Sequence, residues 1–291
     1  MLTPELLHAL RNLPLAARQA AEGFMAGAHA SRRHGGGLEF SQYRPYQPGD
    51  DLRRLDWRLA ARSDKYFLRE SEVDTSLTVS LVLDASASLD HRDDNHLTKL
   101  DYARLLLAAL AYLAHQQGDA VGLTVLLPTG LRQVPPRADS AQLPRLYHAL
   151  EAVAATGTFP GAATLAPLLA RRQRALIVCV SDLYEENGEI TQLLGRLQAS
   201  SGDVLLLHLM AGNELNFSYR GAVTLRDLET GQTLQLDADQ QRGAYQQQLQ
   251  AWLRDTAHAA RRQGLDYHLL DTSQPLDGAL REFLKRRQRM S

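Results

Sequence analysis

The hydrophobic pattern changes period near Ser76. Before it, Leu6, Leu7, Leu10 and Leu13 recur at helical spacing, so Pro4 to about Ser31 predicts a helix, with Pro14 as a kink or break. After it, short apolar runs alternate with longer amphipathic ones. "SLTVSLVLD", "AVGLTVLL", "ALIVCV", "DVLLLHLM" and "DYHLLD" have strand length. Between and after them, "TKLDYARLLLAALAYLAHQQG", "SAQLPRLYHALEAVAAT", "ATLAPLLARR", "EITQLLGRLQASSG", "AYQQQLQAWLRDTAHAARRQG" and "LDGALREFLKRRQ" predict helices. Thr98 with Asp101 has the spacing of a capping box, and Gly118 closes the helix they start. "LRQVPP" predicts a short edge strand, because its prolines cannot donate to a central ladder.

Strands alternating with helices, several of them apolar on both faces, define a parallel sheet covered on both sides. Six strands suggest the doubly wound order 3-2-1-4-5-6. "GAVTLRDLETGQTLQLD" interrupts this rhythm as two alternating runs around Glu229-Thr230-Gly231, a hairpin inserted at about 213–238. Residues 1–75 then form a helical and irregular extension, and residues 76–291 the α/β domain.

Composition narrows the function. The chain has 291 residues, 44% hydrophobic, ample for a core, and a net charge of −1, which gives no footprint for a nucleic-acid partner. Cys179, the only cysteine, lies inside "ALIVCV", which excludes an internal disulfide or a thiolate metal site and reads as core packing. No signal peptide is recognisable, and no window nears the roughly 18 apolar residues of a membrane span. The expectation is a cytoplasmic protein with no membrane span.

In the expected order, strands one and four are neighbours whose connections leave toward opposite faces, and such crevices bind ligands. Strand one ends in "DASAS", Asp84 to Ser88, and strand four in Ser181-Asp182. Two carboxylates and two hydroxyls at alternate positions are oxygen donors of the kind Mg²⁺ takes, some directly and some through water. Thr164, opening a short helix before strand four, can add a fifth oxygen. The alternative is a polar loop in which Asp and Ser only cap backbone groups.

"DASAS", "GAATL" and "VSD" resemble the three-part metal-ion-dependent adhesion site of von Willebrand factor A domains. Carried over residue by residue, the ligands are Asp84, Ser86, Ser88, Thr164 and Asp182. The resemblance implies a doubly wound, mostly parallel, Rossmann-type fold and Mg²⁺, with Mn²⁺ or Ca²⁺ as alternatives. It also implies a coordination position left open for a partner's carboxylate. Leu89 stands where Met is usual, a volume-conserving swap. "GGGLEFSQYRPYQPGDDLRRLDWRLAARSDKYFLRE" resembles the signature of the bacterial family called domain of unknown function fifty-eight. Its members carry such a domain and are often encoded beside AAA+ ATPases of the MoxR type. That implies a MoxR-type partner with its client, and no known chemistry. Some members have two membrane helices, which this chain lacks.

Three further segments carry two readings each. Asp90, His91, Asp93 and Asp94 lie in "LDHRDDNHLT", a solvated loop or a partner contact at the rim of the site. Arg44, Asp50, Asp51 and Asp56 in "RPYQPGDDLRRLDW" form either internal ion pairs or a docking surface. The basic end "LKRRQRMS" reads as a frayed, solvated helix terminus rather than a nucleic-acid patch. His208 and His268 read as satisfied core or edge residues. The expected function is a non-catalytic, metal-dependent interaction module. One alternative is a phosphohydrolase using Asp84, although such enzymes usually place a second carboxylate where Ser86 stands. The other is a scaffold whose site is unused.

Overall fold

The structure, a computed structural model, describes residues 12–34, 43–45, 67–69, 76–93, 97–161, 175–184 and 189–290. The chain divides into two units, Met1–Phe24 with Ser76–Ser291, and Met25–Thr75. Helix α1 (Leu13–His34) begins where Asn12 accepts the Leu15 N–H at 3.2 Å. Pro14 therefore stands in the first turn, where its missing N–H costs nothing, and does not break the helix. In the smaller unit β1 (Tyr43–Pro45) pairs antiparallel with β2 (Phe67–Arg69). The rest of the segment read as a family signature, including Asp50, Asp51 and Asp56, lies outside the described residues.

The larger unit runs β3 (Thr78–Asp84), α2 (Lys99–Gln116), β4 (Ala120–Leu127), β5 (Gly130–Arg137), α3 (Gln142–Glu151), β6 (Ala175–Ser181), α4 (Glu189–Ser201), β7 (Gly202–Met210), α5 (Gly212–Asn216), β8 (Ala222–Arg226), β9 (Thr233–Asp237), α6 (Ala238–Arg262), β10 (Asp266–Asp271) and α7 (Asp277–Met290). Its sheet has the order β10-β7-β6-β3-β4-β5, which is the doubly wound order. All pairings are parallel except β4 with β5. Pro135 and Pro136 place β5 at the edge, as their missing donors require. Gln142 supplies the donors instead, reaching the carbonyls of Val121 at 2.7 Å and Pro135 at 2.9 Å.

The helices cover both faces because the central strands have no polar face to show. Every residue of β6 is buried, Cys179 included. Leu81, Leu83, Leu106, Leu107, Leu110 and Leu123 form the middle of the core. Each such side chain contributes about 1.5–3 kcal/mol. His208 in β7 is buried with Nδ1 2.8 Å from the Tyr267 hydroxyl. Burial pushes its pKa down to about 4, so the ring is neutral at neutral pH. His268 sits with Nε2 3.0 Å from Asp266.

The basic C-terminal segment is not a solvated end. Arg287 lies against Asp119 in a two-point contact, Nε to Oδ2 at 2.6 Å and Nη2 to Oδ1 at 2.9 Å. Asp119 also accepts the Leu77 N–H at 3.0 Å. Arg286 pairs with Asp203 at 2.6 Å and Asp266 at 3.6 Å. Helix α7 is thus fastened to the amino-end edge of the sheet, opposite the crevice. Arg287→Ala leaves the fully buried Asp119 charge uncompensated and is expected to cost about 3–5 kcal/mol. Urea denaturation checks this, with the exposed Lys285→Ala as a control expected to change little.

Candidate metal centre

The site is built where β3 and β6, hydrogen-bonded neighbours, end side by side. Asp84 is the last residue of β3, and Asp182 follows the last residue of β6. The chain leaving β3 is clamped before it turns. Ala85 N–H donates to Leu126 O at 3.1 Å, Thr156 N–H to Ala85 O at 2.9 Å, and Ala87 N–H to Gly157 O at 2.8 Å. Gly157 has φ +64, and a Cβ there would stand 2.6 Å from the Pro128 ring, so only glycine fits this support. A 3₁₀ turn at Ala87–Asp90 then folds Ser88 and Leu89 inward.

These constraints bring four of the five expected ligands together. Ser86 Oγ and Ser88 Oγ are 3.0 Å apart, and Ser88 Oγ donates to Asp182 Oδ1 at 3.1 Å. Asp84 stands behind them, Oδ1 accepting the Ser86 N–H at 2.9 Å and Oδ2 the Ser181 hydroxyl at 2.7 Å. The capping role weighed from the sequence is therefore real for Asp84, and it coexists with the cluster. Ser181 also accepts the N–H of Leu183, which is held at φ +56, an uncommon conformation for a leucine. Burial first, and the Asp182 charge second, hold the Asp84 carboxyl well above the usual carboxylate range.

The remaining candidates divide. His91 is half-buried, with Nε2 2.9 Å from Asn213 Oδ1. Asp90 is exposed on the turn, and Asp93 is half-buried near Gly212. Arg44 lies in β1, in the smaller unit. Thr164 and Asp94 lie outside the described residues.

Three charged residues at the site were not recognised from the sequence. Lys99 opens α2 fully buried, its Nζ 2.7 Å from Asp182 Oδ2 and 2.9 Å from Glu214 Oε1. Burial pulls its pKa down, and the charges of Asp182 and Glu214 outweigh that and hold it above the ordinary lysine value. The Lys99 ammonium also lies 4.8 Å from the Tyr184 ring centroid, and that ring stacks on Trp252 at 5.6 Å. A cation in the first turn opposes the helix dipole. That misplaced sign was the available signal. Glu214 comes from α5, with Oε2 accepting the Ala211 N–H at 2.7 Å. Glu229 comes from the hairpin turn. A cavity of about 630 Å³ opens between them, lined by Ser88, Lys99, Phe159, Tyr184, Glu214 and Glu229 among others.

The donor set fits a hard divalent cation. It is oxygen-only, and spacings of 3.0 and 3.1 Å match the edge of an Mg²⁺ octahedron, about 2.9 Å for ligands 2.0–2.1 Å from the ion. Among the described residues no group of three or more His, Cys, Asp or Glu is arranged to hold a metal ion.

The sheet order places this crevice at the switch point of a doubly wound sheet, between the ends of β3 and β6. The chain belongs to the family described as protein of unknown function DUF58, which matches residues 42–253. Uncharacterised proteins of Mycobacterium bovis and Mycobacterium tuberculosis are 30% identical over 240 residues, 81% of this chain and 75% of theirs. An aerotolerance-related membrane protein from Bacteroides fragilis has a similar structure, with a TM-score of 0.49 and 15% identity, covering 74% of this chain and 100% of that one. The SpRpn10 VWA domain gives 0.40 at 13%, covering 71% and 95%. No helix among the described residues is long and apolar enough to cross a membrane.

Lys99→Met tests the electrostatic frame. It strands the Asp182 and Glu214 charges and is expected to cost about 3–5 kcal/mol in chemical denaturation. Adding Glu214→Gln to Lys99→Met is expected to recover part of that loss, because the two changes share one network.

Proposed function

We propose that this chain is a non-catalytic, metal-dependent protein-interaction module that works with a MoxR-type AAA+ ATPase and its client. The observation that carries it is the run of buried oxygens Ser86–Ser88–Asp182, backed by Asp84, with Ser88 lining an open cavity. When bound, a divalent cation would offer a coordination position to a carboxylate of the partner. The chain's own residues do the rest. Ser86 and Ser88 would hold the ion, Asp84 and Asp182 would supply compensating charge, and Lys99 fixes Asp182 through the oxygen that Ser88 does not use. The choice of ATPase rests on family membership alone.

Both oxygens of Asp84 are already engaged, by a backbone N–H and a hydroxyl, which argues against its use as a nucleophile. The phosphohydrolase and the unused scaffold are the readings that the test separates. Mg²⁺ or Mn²⁺ at 100 times its dissociation constant is expected to stabilise the wild type by about 2.7 kcal/mol. Asp84→Ala is expected to lose that gain, as read by thermal melting. In the same design, purified MoxR-type ATPase is expected to bind with Mg²⁺ and not with EDTA or Ser86→Ala. An identical metal response in wild type and Asp84→Ala removes the site. Metal-dependent phosphate release lost in Asp84→Ala moves the protein to the hydrolase class.

A further inference from the structure

The hairpin inserted between α5 and α6 is braced at both ends. At its base, Ala238 N–H donates to Gly221 O at 2.8 Å and Gly221 N–H to Asp239 Oδ2 at 2.9 Å. Arg242 of α6 reaches back to the carbonyls of Phe217 at 3.3 Å and Tyr219 at 2.7 Å. At its tip, the Asp227 carboxylate accepts the N–H groups of Glu229 at 2.8 Å and Thr230 at 3.1 Å. Those bonds hold the Asp227 carboxyl below its usual range. The turn is therefore a shaped bracket.

The bracket aims one side chain inward. Leu228 and Leu234, its neighbours on the hairpin, are exposed, whereas Glu229 Oε1 is buried, with the hydroxyls of Ser88 and Ser86 beside the carboxyl. Glu229 lines the same cavity as Ser88 and Lys99. A carboxylate beside two hydroxyls and Asp182 completes an oxygen-only set of the kind a hard cation takes, and Lys99 and Arg226 are the Lys and Arg side chains that line the cavity. Lys99, the buried cation nearby, is already shared by Asp182 and Glu214.

We propose that Glu229 is a ligand of the metal held by Ser86 and Ser88, so that the hairpin supplies in cis the carboxylate that a partner must displace. This rests on the metal reading above and adds a residue and an order of events to it. The hairpin covers the contact surface while Glu229 is bound, and lifting its tip uncovers the ion. A partner carboxylate then competes with a tethered one, present at high effective concentration.

Water-proton relaxation by bound Mn²⁺ tests this directly, because it counts the waters on the ion. The full chain is titrated with Mn²⁺ as wild type, Glu229→Gln and Asp84→Asn. Glu229→Gln is expected to bind Mn²⁺ ~10–100-fold more weakly, the range seen when a supporting group of a metal site is lost. Its bound ion is expected to carry more coordinated water, and added acetate is expected to lower that relaxivity in Glu229→Gln but not in wild type. Equal affinity and equal relaxivity in wild type and Glu229→Gln, with binding lost in Asp84→Asn, overturns the role of Glu229 and leaves the metal site standing. Failure of Mn²⁺ to bind wild type overturns both. Asp227→Ala, which keeps the carboxylate and loosens the turn, is expected to fall between the two.

Discussion

Everything at the crevice depends on the buried ammonium of Lys99. A parallel sheet with both faces covered leaves the ends of β3 and β6 without bulk water, and Asp84 and Asp182 are both desolvated there. Two such carboxylates repel each other and lose hydration, a cost met by taking up a proton or by a positive charge close by. Lys99 meets that need on one side only, bonding Asp182 Oδ2 and leaving Oδ1 to Ser88. It also joins three elements that are far apart in sequence: the start of α2, the end of β6 and the short helix α5.

Much of this was legible in the sequence, for definite reasons. Strand order followed from apolar runs of strand length, because residues buried on both faces cannot be polar. The edge position of β5 followed from its prolines, which lack the donors a central strand needs. Asp84, Ser86, Ser88 and Asp182 were legible because residues at the ends of adjacent parallel strands meet whatever lies between them in sequence. What escaped was the chemistry carried by charges whose neighbours are set by packing. The sequence pattern singles out no role for Lys99, Glu214 and Glu229 fall inside an insertion, and Arg287 reads as one of several basic residues on a solvated end. Each is defined by a partner more than 90 residues away or by a turn that only the folded chain aims. Periodicity has nothing to say about either.

The insertion illustrates how a common framework acquires a particular use. The sheet order and its switch-point crevice are common to doubly wound folds. Residues 211–237 add α5 and the hairpin over one side, and they carry two acidic side chains to it. Because α6 braces this segment through Arg242 and through Tyr245, whose hydroxyl donates to Glu214 O at 2.9 Å, its position is coupled to a long helix lying on the domain. A force or contact on that helix has a mechanical route to the crevice.

The contact between Asp119 and Arg287 bears on how the chain is made. The two residues are separated by 168 positions. At 5–20 residues per second, the ribosome needs roughly 10–30 s to deliver the guanidinium after the carboxylate has emerged. During that interval the start of β4 carries a charge that the finished core must bury, and the ladder between β3 and β4 can form only with that group still hydrated. The amino end of the sheet therefore gains its last counter-charge only when α7 has been made.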